Sequence, residues 1–98
     1  MSIIFQAFED EEISDRQKNQ YDYFIKNYES IFNKSLLLLK ERFGENYDKI
    51  VLIESIFFNR YDEFGFLGES ILDEENGIAI KLSNNNDNIE IGEQNILI

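Results

Sequence analysis

Between Ser14 and Gly44, apolar side chains recur at Tyr21, Phe24, Tyr28, Ile31, Phe32, Ser35/Leu36, Leu39 and Phe43. This is close to the i, i+3/i+4, i+7 spacing of a single buried helical stripe. Lys18, Asp22, Lys26, Glu29, Lys34, Lys40 and Glu41 fall largely outside it. Ser14 followed by Gln17 reads as a capping box, in which hydroxyl and amide each satisfy a backbone N–H that the first turn leaves unpaired. Gly44, after Arg42 and Phe43, reads as a left-handed cap with a cation near the negative end of the helix dipole. The pattern predicts a helix of about 30 residues, roughly 45 Å at 1.5 Å per residue. That exceeds the sheet of a small domain, so a bend or break is expected near 33–35.

From Ile50 the period changes. Residues 50–58 are β-branched, aromatic and nearly continuous in apolarity, as in a central strand. A second strand is predicted over 66–72, a third over 78–82 and a fourth over 89–91. Asn76-Gly77 supplies a hairpin signal, because both residues tolerate positive φ. Ile78, Ile80 and Leu82 share one face, as do Ile89 and Ile91, and these are expected to meet the helix. Ala79, Lys81, Ser83 and Glu90 then lie on the other face. Residues 3–8 could add an edge strand or cover the core. The expected fold is α+β, a single domain over 1–98: a long N-terminal helix packed on one face of a three- to five-stranded antiparallel β meander.

Composition narrows the chemistry. Among 98 residues there is no cysteine and no histidine, which excludes disulfides, thiol nucleophiles, zinc–thiolate sites and the commonest neutral-pH base. No apolar stretch approaches the roughly 20 residues of a membrane span. The apolar start Met1-Ser2-Ile3-Ile4-Phe5 lacks a basic leader and runs into Glu9-Asp10-Glu11-Glu12, unlike a signal peptide, so a soluble cytoplasmic protein is expected. The net charge of −11 is uneven: residues 1–49 carry seven Lys/Arg against ten Asp/Glu, whereas 50–98 carry only Arg60 and Lys81 against ten. Such a field repels nucleic acid and anionic membranes and speeds encounter with a basic protein.

The candidate constellations each have a plain structural reading beside a functional one. Glu9-Asp10-Glu11-Glu12 suits the positive end of a helix dipole, or one side of an acidic docking surface. Asp73-Glu74-Glu75 sits on a turn, with Asp62, Glu63 and Glu69 in the neighbouring loop and strand. Carboxylate pairs can act as acid and base or hold magnesium, but they need an enclosing cleft that so small a domain hardly provides. The expectation is therefore no enzyme, no metal and no cofactor. Asn84-Asn85-Asn86-Asp87-Asn88 offers oxygen ligands but lacks the central Gly and closing Glu of a calcium loop, and reads as a polar hairpin loop. Phe57, Phe58, Tyr61, Phe64 and Phe66 read mainly as core, with Tyr61 or Phe64 as a candidate exposed anchor.

Glu75-Asn76-Gly77-Ile78-Ala79-Ile80 and Ile89-Glu90-Ile91-Gly92-Glu93-Gln94-Asn95-Ile96 carry a resemblance. The chain resembles a group of small bacterial domains with an E-x-G hairpin motif, similar to immunity-type proteins of toxin systems. The group usually has His where Asn76 stands, so a titrating or metal role at that position is not carried over. The resemblance implies a toxin-neutralising protein that occludes a basic partner, for instance a cognate nuclease toxin. The expected binding surface comprises Tyr61, Asp62, Glu63, Phe64, Glu69, Asp73, Glu74 and Glu75. The alternative is a self-associating structural or regulatory domain, a homodimer formed through the open sheet edge or the apolar C-terminal residues.

Overall fold

A computed structural model describes residues 1–7, 11–61, 63–82 and 89–98. The elements run β1 (Ser2–Phe5), α1 (Asp15–Lys26), α2 (Tyr28–Phe43), the single turn α3 (Tyr47–Ile50), β2 (Val51–Phe58), β3 (Phe64–Ser70), β4 (Ile78–Leu82), β5 (Glu90–Gly92) and a closing 3-10 turn (Gln94–Ile96). The strands form one sheet in the order β1-β2-β3-β4-β5. The α+β class is as expected, with two corrections. A strand precedes the helices, and β1 pairs parallel to β2, so the sheet is mixed. Parallel neighbours need a long crossover, and α1, α2 and α3 together supply it. The remaining pairs are antiparallel.

The capping box forms as the sequence predicts: Ser14 Oγ accepts from Gln17 N–H, and Gln17 Oε1 accepts from Ser14 N–H. The long helix breaks at Asn27 and not near 33–35. Asn27 leaves helical geometry at φ −117°, ψ 19°, and its side-chain amide donates to the Tyr23 carbonyl at 2.9 Å, competing with the helical ladder. At 33–35 the polar residues are absorbed without a break, since Ser35 Oγ donates back to the Ile31 carbonyl at 2.8 Å. Gly44 ends α2 at φ 88°, ψ −172°. Its φ is positive as expected, but its ψ lies in an extended, glycine-specific region instead of the left-handed helical one.

The break lets both helices turn one stripe onto the sheet. Phe24, Ile31 and Leu39 are buried against Val51, Ile56, Phe58, Phe64, Phe66, Ile78, Ile80 and Leu82, with Ile89 and Ile91 packed alongside. The aromatic centre is continuous: Phe5 stacks on Phe58 with centroids at 4.9 Å, and Phe58 stacks on Phe64 at 5.5 Å.

A β-bulge solves a parity problem in β2. Val51 and Ile53 face the helices, and so do Ile56 and Phe58, although the alternation changes from odd to even between the two pairs. The register against β3 shifts between Ile53 and Ser55, leaving Glu54 as the extra residue. Gly68 permits this, because a Cβ there would lie 2.1 Å from the Leu52 carbonyl oxygen. The outer face has its own small core, where Leu97 and Ile96 of the closing turn cover Phe57, Leu67 and Ala79. Ala79 and Lys81 do lie opposite the helices, as the alternation predicts.

Candidate protein-binding surface

The expected acidic surface divides between the two ends of β3. Tyr61 and Glu63 belong to the β2–β3 turn, while Glu69, Asp73, Glu74 and Glu75 lie at or beyond the far end of the strand. Seven residues of strand separate the ends by roughly 20 Å. Asp62 lies outside the described residues, as do Glu9, Asp10 and the asparagine run 84–88. Phe64 is wholly buried in the aromatic core, stacked on Phe58, and is corrected from surface anchor to core residue. Its strand begins two residues earlier than predicted, which turns the ring toward the helices. Tyr61 is 70% exposed.

At the β2–β3 end, the polar groups bind one another. Asn59, 1% exposed, fills all four hydrogen-bonding positions of its amide. Its Nδ2 donates to Glu63 Oε1 and to the Leu97 carbonyl, both at 3.0 Å, and its Oδ1 accepts from the Tyr61 and Glu63 backbone N–H groups at 2.9 Å. Gln17 reaches the same place from α1, its Nε2 donating to the carbonyls of Gln6, Phe58 and Asn59 at 2.8, 3.1 and 3.2 Å. Arg60 pairs with Glu11 at 2.9 Å. Lys81 lies 3.1 Å from Glu63 Oε2 and 3.3 Å from Glu90 Oε2. The hydrogen bond from Asn59, with the Lys81 ammonium beside it, holds the Glu63 carboxyl below its ordinary range against the opposing effect of partial burial. Hydrogen bonds to Glu63 and Glu90 push the Lys81 ammonium above its ordinary range. Both cations of the second half of the chain are thus engaged at this end.

The β3–β4 end is different. Asp73 organises its own turn, accepting from the Asn76 backbone N–H at Oδ1 and from the Gly77 N–H at its carbonyl. This is a longer turn than a two-residue Asn-Gly hairpin, though Gly77 has the expected positive φ of 65°. Gln94 ties the turn to the sheet, donating from Nε2 to the Gly68 carbonyl at 2.9 Å and from its backbone to the Asn76 carbonyl at 3.1 Å. Among the described residues, Glu69, Glu74 and Glu75 make no ion pair. Beside them is a groove of about 420 Å³ lined by Asp48, Lys49, Leu52, Glu69, Ile71 and Glu74, among others. Leu52 and Ile71 are 62% and 64% exposed, and Leu72, 67% exposed, lines a neighbouring groove with Arg42 and Asp73. The first groove therefore combines apolar side chains with three carboxylates and one ammonium.

Leu52, Ile71, Leu72 and Asp48 were not anticipated at a surface. Ile71 and Leu72 read as the end of a strand over 66–72, but β3 stops at Ser70, leaving both in the turn. An apolar pair running directly into three carboxylates is the signal that could have found them. Among the described residues no group of three potential metal ligands occurs, and no helix is long and apolar enough to cross a membrane. Comparison with family models, curated proteins and solved structures gives no match.

Proposed function

We propose that this protein is a toxin-neutralising, immunity-type binding module that covers a basic surface on its partner, such as that of a nuclease toxin, with the β3–β4 end of its sheet. The observation that carries the reading is the conjunction in the groove there of Glu69, Glu74 and Asp48 with exposed Leu52 and Ile71. Apolar side chains rimmed by charge are the composition of a binding patch: a few anchors supply affinity, and the charges steer the encounter and select the partner. Tyr61, at the other end of β3, lies outside this patch.

The test is growth rescue on co-expression with the C-terminal domain encoded by the gene immediately upstream of this chain's own, once that domain is established as toxic when expressed alone. Rescue by the parent chain, lost in a Glu69→Lys/Glu74→Lys double variant that still folds, is the expected result. No rescue, with the toxin active and the chain soluble, removes the reading. Self-association through the edge strand β1 is the second reading, favoured by exposed Ile3 and Ile4 on that strand. A stable dimer in light scattering, independent of concentration, would support it.

A further inference from the structure

The fold places a chemically labile dipeptide on its surface. Gly77 holds φ 65°, and a Cβ there would lie 2.6 Å from Gln94 Nε2 and 2.8 Å from the Gly68 carbonyl oxygen, so the turn requires glycine at this position. The residue before it, Asn76, is exposed, and it is the one asparagine of the sequence that precedes a glycine. No side chain at Gly77 shields its peptide nitrogen from the side-chain carbonyl carbon of Asn76, one residue back along the chain. Asp73 restrains both groups. Its carbonyl accepts from the Gly77 N–H at 2.9 Å, and its carboxylate accepts from Asn76 Nδ2 at 3.2 Å on each oxygen and from the Asn76 N–H at 3.2 Å on Oδ1.

We propose that Asn76 is a site of spontaneous deamidation and that Asp73 sets its rate. The Gly77 nitrogen, having given its proton to base, attacks Asn76 Cγ. A new C–N bond closes a succinimide ring as the Cγ–Nδ2 bond breaks, and the departing amide nitrogen takes up a proton and leaves as ammonia. Water then opens the ring. Cleavage of the new Cγ–N bond gives aspartate. Cleavage of the original main-chain bond gives isoaspartate, in which the carbonyl that accepts the Gln94 N–H at 3.1 Å becomes the free carboxylate. Either product adds a negative charge beside Glu74 and Glu75, on the turn that joins β3 to β4. Attack requires the bonds to Asp73 to be released, so the folded turn reacts only through local opening.

The experiment is peptide mapping by mass spectrometry of the full chain incubated in mildly alkaline buffer, with and without unfolding urea. It follows the gain of about 1 Da that accompanies replacement of NH2 by OH, with isoaspartate resolved by chromatography. The gain is expected at residue 76, about tenfold slower in buffer than in urea. Asp73→Ala is expected to accelerate it about fivefold in buffer and to leave the rate in urea unchanged. Asp73→Asn keeps an acceptor for the Asn76 N–H but turns an amide toward Asn76 Nδ2, so an acceleration of about twofold is expected. That variant decides the matter if Asp73→Ala does not fold. Asn76→Gln, whose longer side chain closes its ring far more slowly, is expected to abolish the gain. No conversion at residue 76 in buffer, over a period that converts the unfolded chain, overturns the site. Equal rates in buffer for the parent and the folded Asp73 variants, or equal rates for the parent in buffer and urea, overturn the restraint by Asp73.

Discussion

Carboxylates at the two ends of β3 do opposite work. Near the β2–β3 turn, Glu63 and Glu90 share Lys81, Glu11 pairs with Arg60, and buried Asn59 and Gln17 knit the turn to β1, α1 and the closing residues. At the β3–β4 end, Glu69, Glu74 and Glu75 face water beside exposed apolar side chains. A charge imbalance spread along half the sequence becomes, among the described residues, a contrast between an end whose carboxylates are ion-paired and an end where Glu69, Glu74 and Glu75 are not. The difference separates carboxylates that hold the fold from carboxylates available to a partner.

The largest test of that contrast is Asn59→Ala. It removes four hydrogen bonds in a site that is 1% exposed and leaves the Leu97 carbonyl and two backbone N–H groups to find new partners. The expected cost is about 3 kcal/mol, near the upper range for a single substitution. In urea unfolding this appears as a lower midpoint with unchanged slope. Gln17→Ala is expected to cost somewhat less, about 2 kcal/mol, because it removes the reciprocal half of the capping box together with the bonds to Gln6, Phe58 and Asn59. A shift below about 0.5 kcal/mol in either variant would mean that this end is not the locked one.

These two residues also mark the limit of what the sequence made legible. Ser14 and Gln17 are recognisable as a capping box because the motif is local, acting within one helical turn. The second role of Gln17, bonding carbonyls more than forty positions away, has no local signature. The same distinction runs through the fold. The third strand, at 78–82, and its two faces follow from the alternation of Ile78, Ile80 and Leu82 with Ala79 and Lys81 and from the Asn76-Gly77 turn signal before it. The four residues of β1 are too few to announce a parallel pairing across three helices. The apparent second strand slid by two residues because Phe64 and Gly65 extend it at one end, while Ile71 and Leu72 look as strand-like as anything inside it. That slip buried Phe64 and exposed Ile71, which lines the candidate groove, together with Leu72.

The Glu63–Lys81–Glu90 ladder gives a smaller, pH-dependent test. Glu63 titrates lower in the folded chain than in the unfolded one, so its stabilising contribution is present above its unfolded pKa, near 4.3. It is lost as pH falls through the lower folded value. Lys81 titrates higher when folded, so its contribution is full below about 10.4 and disappears as pH rises through the folded value. Lys81→Met is therefore expected to unfold at lower urea than the parent near pH 7, with the gap closing at both acid and alkaline extremes. Both groups are partly exposed, and exposed pairs contribute typically 0–1 kcal/mol, so the gap should be small and should narrow further in salt. A gap constant from pH 2 to pH 12 would assign Lys81 a packing role only.

The same chemical change applied at each end gives the finest discrimination. Glu63→Gln removes a charge that faces Lys81 and accepts from Asn59, so stability near pH 7 should fall slightly. Glu69→Gln combined with Glu74→Gln removes two like charges with no ion-pair partner among the described residues. Stability there should hold within about 0.5 kcal/mol of the parent or rise by a few tenths as repulsion is relieved. Opposite signs in paired urea titrations, with the difference shrinking at high salt, would establish that charge is used differently at the two ends. If Glu69→Gln/Glu74→Gln destabilises as Glu63→Gln does, those carboxylates are structural, and the case for a partner at the β3–β4 end loses its electrostatic basis. Retained stability together with a lower association rate for a basic partner would instead separate binding charge from folding charge within one strand's length.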